Sequence, residues 1–250
     1  MLEVVLTAIG VGLATVAGAG IGFLFRNISH KLSDYILGFS AGIMLCASVV
    51  GLILPSLDFG GTYGIITTIL GILSGAIFLN LMDKFIPHDH VCYAENKTCE
   101  ESARKTKIML FVFAIGLHNF PEGIASGVGF GTGEMGRAIM ISIGIALQNI
   151  PEGMVIIVPM LSLGFKKSKV FLIALITGLI EVVGAFIGYF LATISMAVLP
   201  FLLAFAGGTM LYVIGLDLIP ETHAHGNQKG ATYALLIGFC LMLLMDFLLV

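Results

Sequence analysis

Long apolar runs alternate with short charged or Gly/Pro-rich breaks along this chain, the runs falling near 2–25, 34–57, 61–86, 107–130, 136–162, 169–193, 196–219 and 230–250. A bilayer span needs about 20 apolar residues at about 1.5 Å rise each, so the pattern predicts eight transmembrane helices joined mostly by short connections. The break at 87–106 is the longest and reads as a loop. The first run, from Leu2 to Phe25, is too long for a signal-peptide core and has Glu3 where a basic flank would be, so it reads as a retained first span.

Charge at the breaks orients these spans. With the N-terminus outside, the inner connections hold Arg26, Lys31, Lys84, Lys97, Arg104, Lys105, Lys107, Lys166, Lys167, Lys169 and Lys229, and the outer ones hold only Arg137. The positive-inside rule then makes both termini extracytoplasmic and the 87–106 loop cytoplasmic. An internal repeat fits the same count. Phe39-Ser-Ala-Gly-Ile-Met-Leu45 in the second run matches Phe205-Ala-Gly-Gly-Thr-Met-Leu211 in the seventh, and Pro55 and Pro220 follow at similar places. The third and eighth runs both close on Leu-Met-Asp, at Asp83 and Asp246. A displacement of five spans makes the two copies cross in opposite senses, which predicts an all-α bundle with a 3+2+3 inverted repeat. Such repeats are a transporter architecture, with substrate near the midplane.

Composition narrows the class further. The chain is 58% hydrophobic and 11% charged, against roughly 25% charged in a soluble domain, so it reads as a single transmembrane unit over 1–250. A net charge of −3 without a basic, aromatic-interleaved patch excludes a nucleic-acid partner. The four cysteines, Cys46, Cys92, Cys99 and Cys240, are too scattered for a disulfide framework.

Two polar hexapeptides break the apolar pattern of the fourth and fifth runs: His118-Asn119-Phe120-Pro121-Glu122-Gly123 and, thirty residues on, Gln148-Asn149-Ile150-Pro151-Glu152-Gly153. A carboxylate at membrane depth costs several kcal/mol unless paired, hydrated or ion-bound, so each glutamate marks a candidate site. Residues four apart share a helix face, which places His118 with Glu122 and Gln148 with Glu152, while Asn119 and Asn149 flank them. Each proline removes a backbone donor and predicts a kink that frees the carbonyl of Leu117 or Leu147. Glu181 adds a third carboxylate within the sixth run, and three such charges repel one another unless cations or protons compensate. One imidazole, carboxylates and amide oxygens suit Zn²⁺ and accept Fe²⁺, Mn²⁺ or Cd²⁺; the absence of thiolate argues against Cu(I). The competing interpretation, polar residues as interhelical glue, must account for all of these side chains at once. Gly123 and Gly153 have a packing explanation, close helix approach.

The paired hexapeptides, Glu181, eight spans and a His-containing loop after the third span together resemble the Zrt/Irt-like (ZIP) metal transporters, in a prokaryotic GufA-like branch. The resemblance covers essentially the whole chain. It implies transport of divalent transition metal, zinc foremost, into the cytoplasm of a cell through its plasma (inner) membrane. It also implies a binuclear site: His118, Glu122, Gln148 and Glu152 at one metal, Asn119, Asn149 and Glu181 at the other, with Glu122 and Glu152 bridging. Family members often have His at the place of Gln148, and relatives can have Asp at that of Asn149; these departures remove a nitrogen donor and a charge.

Further metal-capable donors lie on the predicted cytoplasmic side, namely His88, Asp89, His90 and Cys92 in the loop and Glu221, His223 and His225 after the seventh span. They read either as capture and hand-over contacts or as solvated side chains, and Asp217 either as exit lining or as a bundle hydrogen bonder. Asp58 and Asp246 fall at the outer face, where they could attract cations. The expected partners are divalent metal and lipid, with a homodimer left open; metal is substrate, and no cofactor is expected. Two other functions compete with this one. A membrane metallohydrolase would call for a motif such as His-Glu-x-x-His, which is absent, and an ion-coupled organic-solute carrier would better suit an oxygen-only site.

Overall fold

The computed structural model describes residues 2–24, 29–84, 116, 119–162, 164–194 and 197–249. Helices dominate them: α1 (Leu2–Gly22), α2 (His30–Phe59), α3 (Gly64–Lys84), α4 (119–131), α5 (Met135–Ser162), α6 (Lys167–Ile194), α7 (Leu199–His223) and α8 (Gln228–Leu249). Among the described residues six helices are long and apolar enough to cross a membrane: α1, α2, α3, α6, α7 and α8. Their outward faces are as apolar as their inward ones. Ile65, Leu70 and Ile77 on α3 and Leu236, Leu244 and Phe247 on α8 are exposed, which water would penalise and lipid does not.

Inside, side chains and glycines divide the work. Ile43, Met44 and Leu52 of α2, Ile141 and Ile145 of α5, and Leu203 and Met210 of α7 form one core, while Ala19, Ile156, Ile157, Met160, Val170 and Ala174 form another between α1, α5 and α6. Elsewhere backbones touch directly because glycine removes the side chain. α1 packs on α5 and α6, α2 on α8, and α3 on α7, and α4 lies on α6 through Gly123, Gly127, Gly184 and Gly188. A left-handed glycine, Gly133 at φ 78°, makes the tight turn that sets α4 beside α5.

These contacts recur in pairs. Gly153 of α5 abuts the backbone of Thr15 and Ala19 on α1; Gly123 of α4 abuts Glu181 and Ala185 on α6. Gly238 abuts Phe39 and Ile43, and Gly75 abuts Phe205 and Thr209. Gly12 and Gly178 abut each other. Thr15 and Glu181, Ala19 and Ala185, Phe39 and Phe205, Ile43 and Thr209, and Gly12 and Gly178 are each separated by the same stretch of sequence. Register also rises in step: Val11 meets Asn149 and Thr15 meets Gly153, so α1 and α5 run parallel, as do α4 with α6.

α2 and α7 share a second feature. Each widens into a π-helical segment, Ala47–Ile53 and Ile214–Leu218, just before Pro55 and Pro220. There Leu54 N–H donates to Val49 O, and Ile219 N–H to Ile214 O, one residue beyond the α-helical partner. The wider turn accommodates a ring that can neither donate nor tolerate the usual carbonyl four residues earlier.

Candidate metal centre

α4 and α5 bring the described parts of both hexapeptides into the interior, and α6 brings Glu181. Asn119, Glu122, Gln148, Asn149, Glu152 and Glu181 are all at most 5% exposed. No Lys or Arg occurs on α5 beyond Arg137 or on α6 beyond Lys169. The residues interlock as amide–carboxylate pairs. Gln148 Nε2 donates to Glu122 Oε1 at 2.7 Å, which joins α5 to α4. Asn149 Nδ2 donates to Glu181 Oε1 and Oε2 at 2.7 and 2.8 Å and to Val11 O at 3.4 Å, joining α5 to α6 and α1. Ser40 Oγ, from α2, donates to Glu152 Oε1 at 3.1 Å and reaches Gln148 O at 3.3 Å.

Once these bonds are made, several oxygens are left over. Seven buried polar side-chain atoms have no partner among the described residues, and five belong to this group: Asn119 Oδ1 and Nδ2, Glu122 Oε2, Gln148 Oε1 and Asn149 Oδ1. Unsatisfied buried polar groups cost about 1–3 kcal/mol each, so such a concentration is expected where a ligand completes the shell. In both Gln148 and Asn149 the amide nitrogen is tied to a carboxylate and the oxygen is the unpartnered end, the end a cation takes. Among the described residues no three His, Cys, Asp or Glu converge as a metal cluster.

Of the other residues singled out from sequence, His118 and the loop residues His88, Asp89, His90 and Cys92 lie outside the described residues, as does Leu117. Glu221, His223 and His225 are not brought to the buried group. Glu221 is exposed. His223 Nδ1 lies 2.7 Å from Ile219 O and 3.1 Å from Thr222 Oγ1. His225 Nδ1 lies 2.9 Å from Asp34 Oδ1 and its ring stacks on His30 with centroids 4.4 Å apart. Asn227 Nδ2 donates to Asp34 Oδ2 at 2.8 Å. Asp34, 1% exposed, therefore ties the start of α2 to the connection between α7 and α8. Asp34→Ala is expected to cost about 1–3 kcal/mol, because it strands the imidazole and amide that now share the carboxylate. A melting temperature in detergent equal to that of the unsubstituted protein would rule this tie out.

Sequence reasoning passed over Ser40, Asp34 and Thr15. Ser40 is one hydroxyl in an apolar run, and its partner Glu152 is 112 residues away. Asp34 stands 191 residues before His225. Thr15 of α1, buried and with Oγ1 unpartnered, sits beside Gly153.

The chain as a whole is similar to known proteins. The family model described as ZIP Zinc transporter matches residues 87–246. The chain is 36% identical over 239 residues to the zinc transporter ZIPB of Bordetella bronchiseptica, covering 93% of this chain and 77% of that protein. It is 34% identical over 241 residues to the zinc transporter GufA of Myxococcus xanthus, covering 94% of each. It is 34% identical over 249 residues to the zinc transporter ZupT of Chlorobaculum parvum, covering 92% and 91%.

Proposed function

This chain belongs to the ZIP zinc transporter family, and from that premise we infer that it is a multi-pass membrane carrier of divalent metal cations, zinc foremost, rather than an enzyme. The observation that carries the reading at residue level is the group of unpartnered amide and carboxylate oxygens buried between α4, α5 and α6. The site is binuclear in this proposal. His118, Glu122, Gln148 and Glu152 hold one cation and Asn119, Asn149 and Glu181 the second, with Glu122 and Glu152 between them. Amide nitrogens hold two of the carboxylates, and the cation takes the amide oxygens and competes for the carboxylate lone pairs. Oxygen-rich, mixed donors of this kind suit borderline and hard divalent ions.

The proposal extends to architecture. The eight helices each cross the plasma membrane once in a 3+2+3 inverted repeat, both termini lie outside, and 87–106 lies in the cytoplasm. Recurring glycine contacts between equivalent helices support the repeat, and parallel packing of α1 with α5 and α4 with α6 suits eight alternating crossings. The excess of Lys and Arg at one set of connections supports the orientation. Glycine-to-backbone contacts hold α1, α4, α5 and α6 together, while contacts such as Gly51 with Ile141 and Gly144 with Met242 meet the other helices through side chains. Side-chain contacts can slide where backbone clasps cannot, so alternating access moves α4 and α5 with α6 and α1 against α2, α3, α7 and α8.

The deciding measurement is zinc accumulation by proteoliposomes. Uptake above that of protein-free vesicles is expected, and uptake at the protein-free rate overturns the reading. In the same assay Gln148→His restores a nitrogen donor opposite Glu122 and is expected to lower the KM for zinc about tenfold, since imidazole is the better zinc ligand. An unchanged or raised KM would place Gln148 away from the metal.

A further inference from the structure

The repeat that relates α4 to α5 and α1 to α6 makes a comparison possible at the site itself. The two hexapeptides align Asn119 with Asn149 and Gly123 with Gly153. Gly123 abuts Glu181 and Ala185, and Gly153 abuts Thr15 and Ala19. Thr15 on α1 therefore stands where Glu181 stands on α6. On one side the pair is closed, because Asn149 Nδ2 donates to both oxygens of Glu181. On the other, the equivalent pair is Asn119 and Thr15, and Asn119 Oδ1, Asn119 Nδ2 and Thr15 Oγ1 all lack partners among the described residues. Threonine is too short to make the bond that glutamate makes.

The state of Thr15 is unusual among the described residues. The other buried threonines described, Thr68, Thr132, Thr177, Thr209 and Thr222, all have hydrogen-bonded hydroxyls, most of them to a carbonyl of the preceding turn. A helical threonine has that carbonyl always within reach, and a membrane interior offers strong reason to use it. Thr15, 1% exposed, does not. It also lies one turn beyond Val11, whose carbonyl accepts from Asn149, so it is on the face of α1 that meets the site.

We propose that Thr15 and Asn119 form an oxygen half-site for the transported cation, the counterpart of the Asn149–Glu181 pair, in which a hydroxyl replaces a carboxylate. The proposal rests on the metal-transport reading. A hydroxyl and an amide oxygen are neutral and hard, so they hold a divalent cation, or the water it carries, less tightly than a carboxylate does. The lopsided pair gives the path one strong and one weak side, and the cation can leave. A glutamate at Thr15 would add a fourth carboxylate to the group and close the weak side.

The test uses full-length protein with Thr15→Val, Thr15→Ser and Thr15→Glu, reading zinc affinity of the purified protein by calorimetry and zinc uptake by proteoliposomes. Matched elution profiles and melting temperatures establish equal folding. Thr15→Val keeps the shape and removes the oxygen; it is expected to weaken zinc affinity and raise the KM about tenfold, while Thr15→Ser stays within about twofold of the unsubstituted protein. Thr15→Glu is expected to bind zinc more tightly and carry it more slowly. Wild-type affinity and KM in Thr15→Val would overturn the half-site, and so would a serine variant as impaired as the valine one, since packing would then be what matters. The two readouts separate the two ideas. Protein that binds zinc without carrying it sinks the transport reading, and the half-site is still judged by the affinities of the valine and serine variants.

Discussion

Proteoliposomes holding Glu122→Ala or Glu152→Ala are expected to take up zinc no faster than protein-free vesicles, although both proteins still fold. Each carboxylate is buried, at 0% and 5% exposure, in helices that carry no basic residue nearby. A divalent cation entering such a place loses most of its water, and a carboxylate supplies both the charge and the oxygen that offset the loss. Removing either should lower transport by more than about a hundredfold, since loss of even an outer-shell partner of a bound metal costs about 10–100-fold. Folding is expected to suffer less. Glu122→Ala leaves the amide of Gln148 without its acceptor and Glu152→Ala leaves the hydroxyl of Ser40 without one of its two, at about 1–3 kcal/mol each. Glu122→Gln separates charge from shape: it nearly preserves volume, loses the charge, and is expected to be as inactive as the alanine variant. Wild-type zinc flux in all three would mean that the cation passes elsewhere.

The membrane class and the family were legible because both depend on local signals. A bilayer demands runs of a set length whatever surrounds them, and the hexapeptides place costly groups in those runs twice. Relations between distant helices were only partly legible. Phe39 and Phe205 point to the proposed repeat in α2 and α7 because the residues around them look alike. Thr15 and Glu181 meet the matching glycines Gly153 and Gly123 but share neither size nor charge, so only the glycine contacts of α4 and α5 pair them. Ser40 and Asp34 could not be found from pattern for the same reason: a polar group in an apolar run shows that a partner is needed, and only the fold shows which. The packing role expected of Gly123 and Gly153 is what the structure displays. The widening of α2 and α7 before Pro55 and Pro220 was not anticipated, although the prolines themselves were the signal.

Gly123→Val and Gly153→Val are expected to lose folded protein and zinc transport together, and to similar degrees. A Cβ at Gly123 would come within 2.9 Å of Ala185 N, and one at Gly153 within 3.0 Å of Ala19 N, with the carbonyls of Glu181 and Thr15 nearer still. The obstacle in both cases is backbone, which cannot rotate aside as a side chain does, so α4 must move off α6 or α5 off α1. Overpacking typically costs about 1–3 kcal/mol and here should exceed that range, since the contact lies in the middle of a helix pair. Separation of α5 from α1 also draws Asn149 from Val11 O, so the site loosens even in molecules that remain folded. Gly10 and Gly20, whose added Cβ atoms would meet nothing within 4 Å, provide the control, and alanine at either is expected to leave both stability and uptake unchanged. Thermal unfolding in detergent and zinc uptake at matched protein amounts check all four variants. Stable, active valine variants would show that the helix pairs do not need direct backbone contact, and would remove the clasp on which the movement proposed for α4 and α5 with α6 and α1 depends.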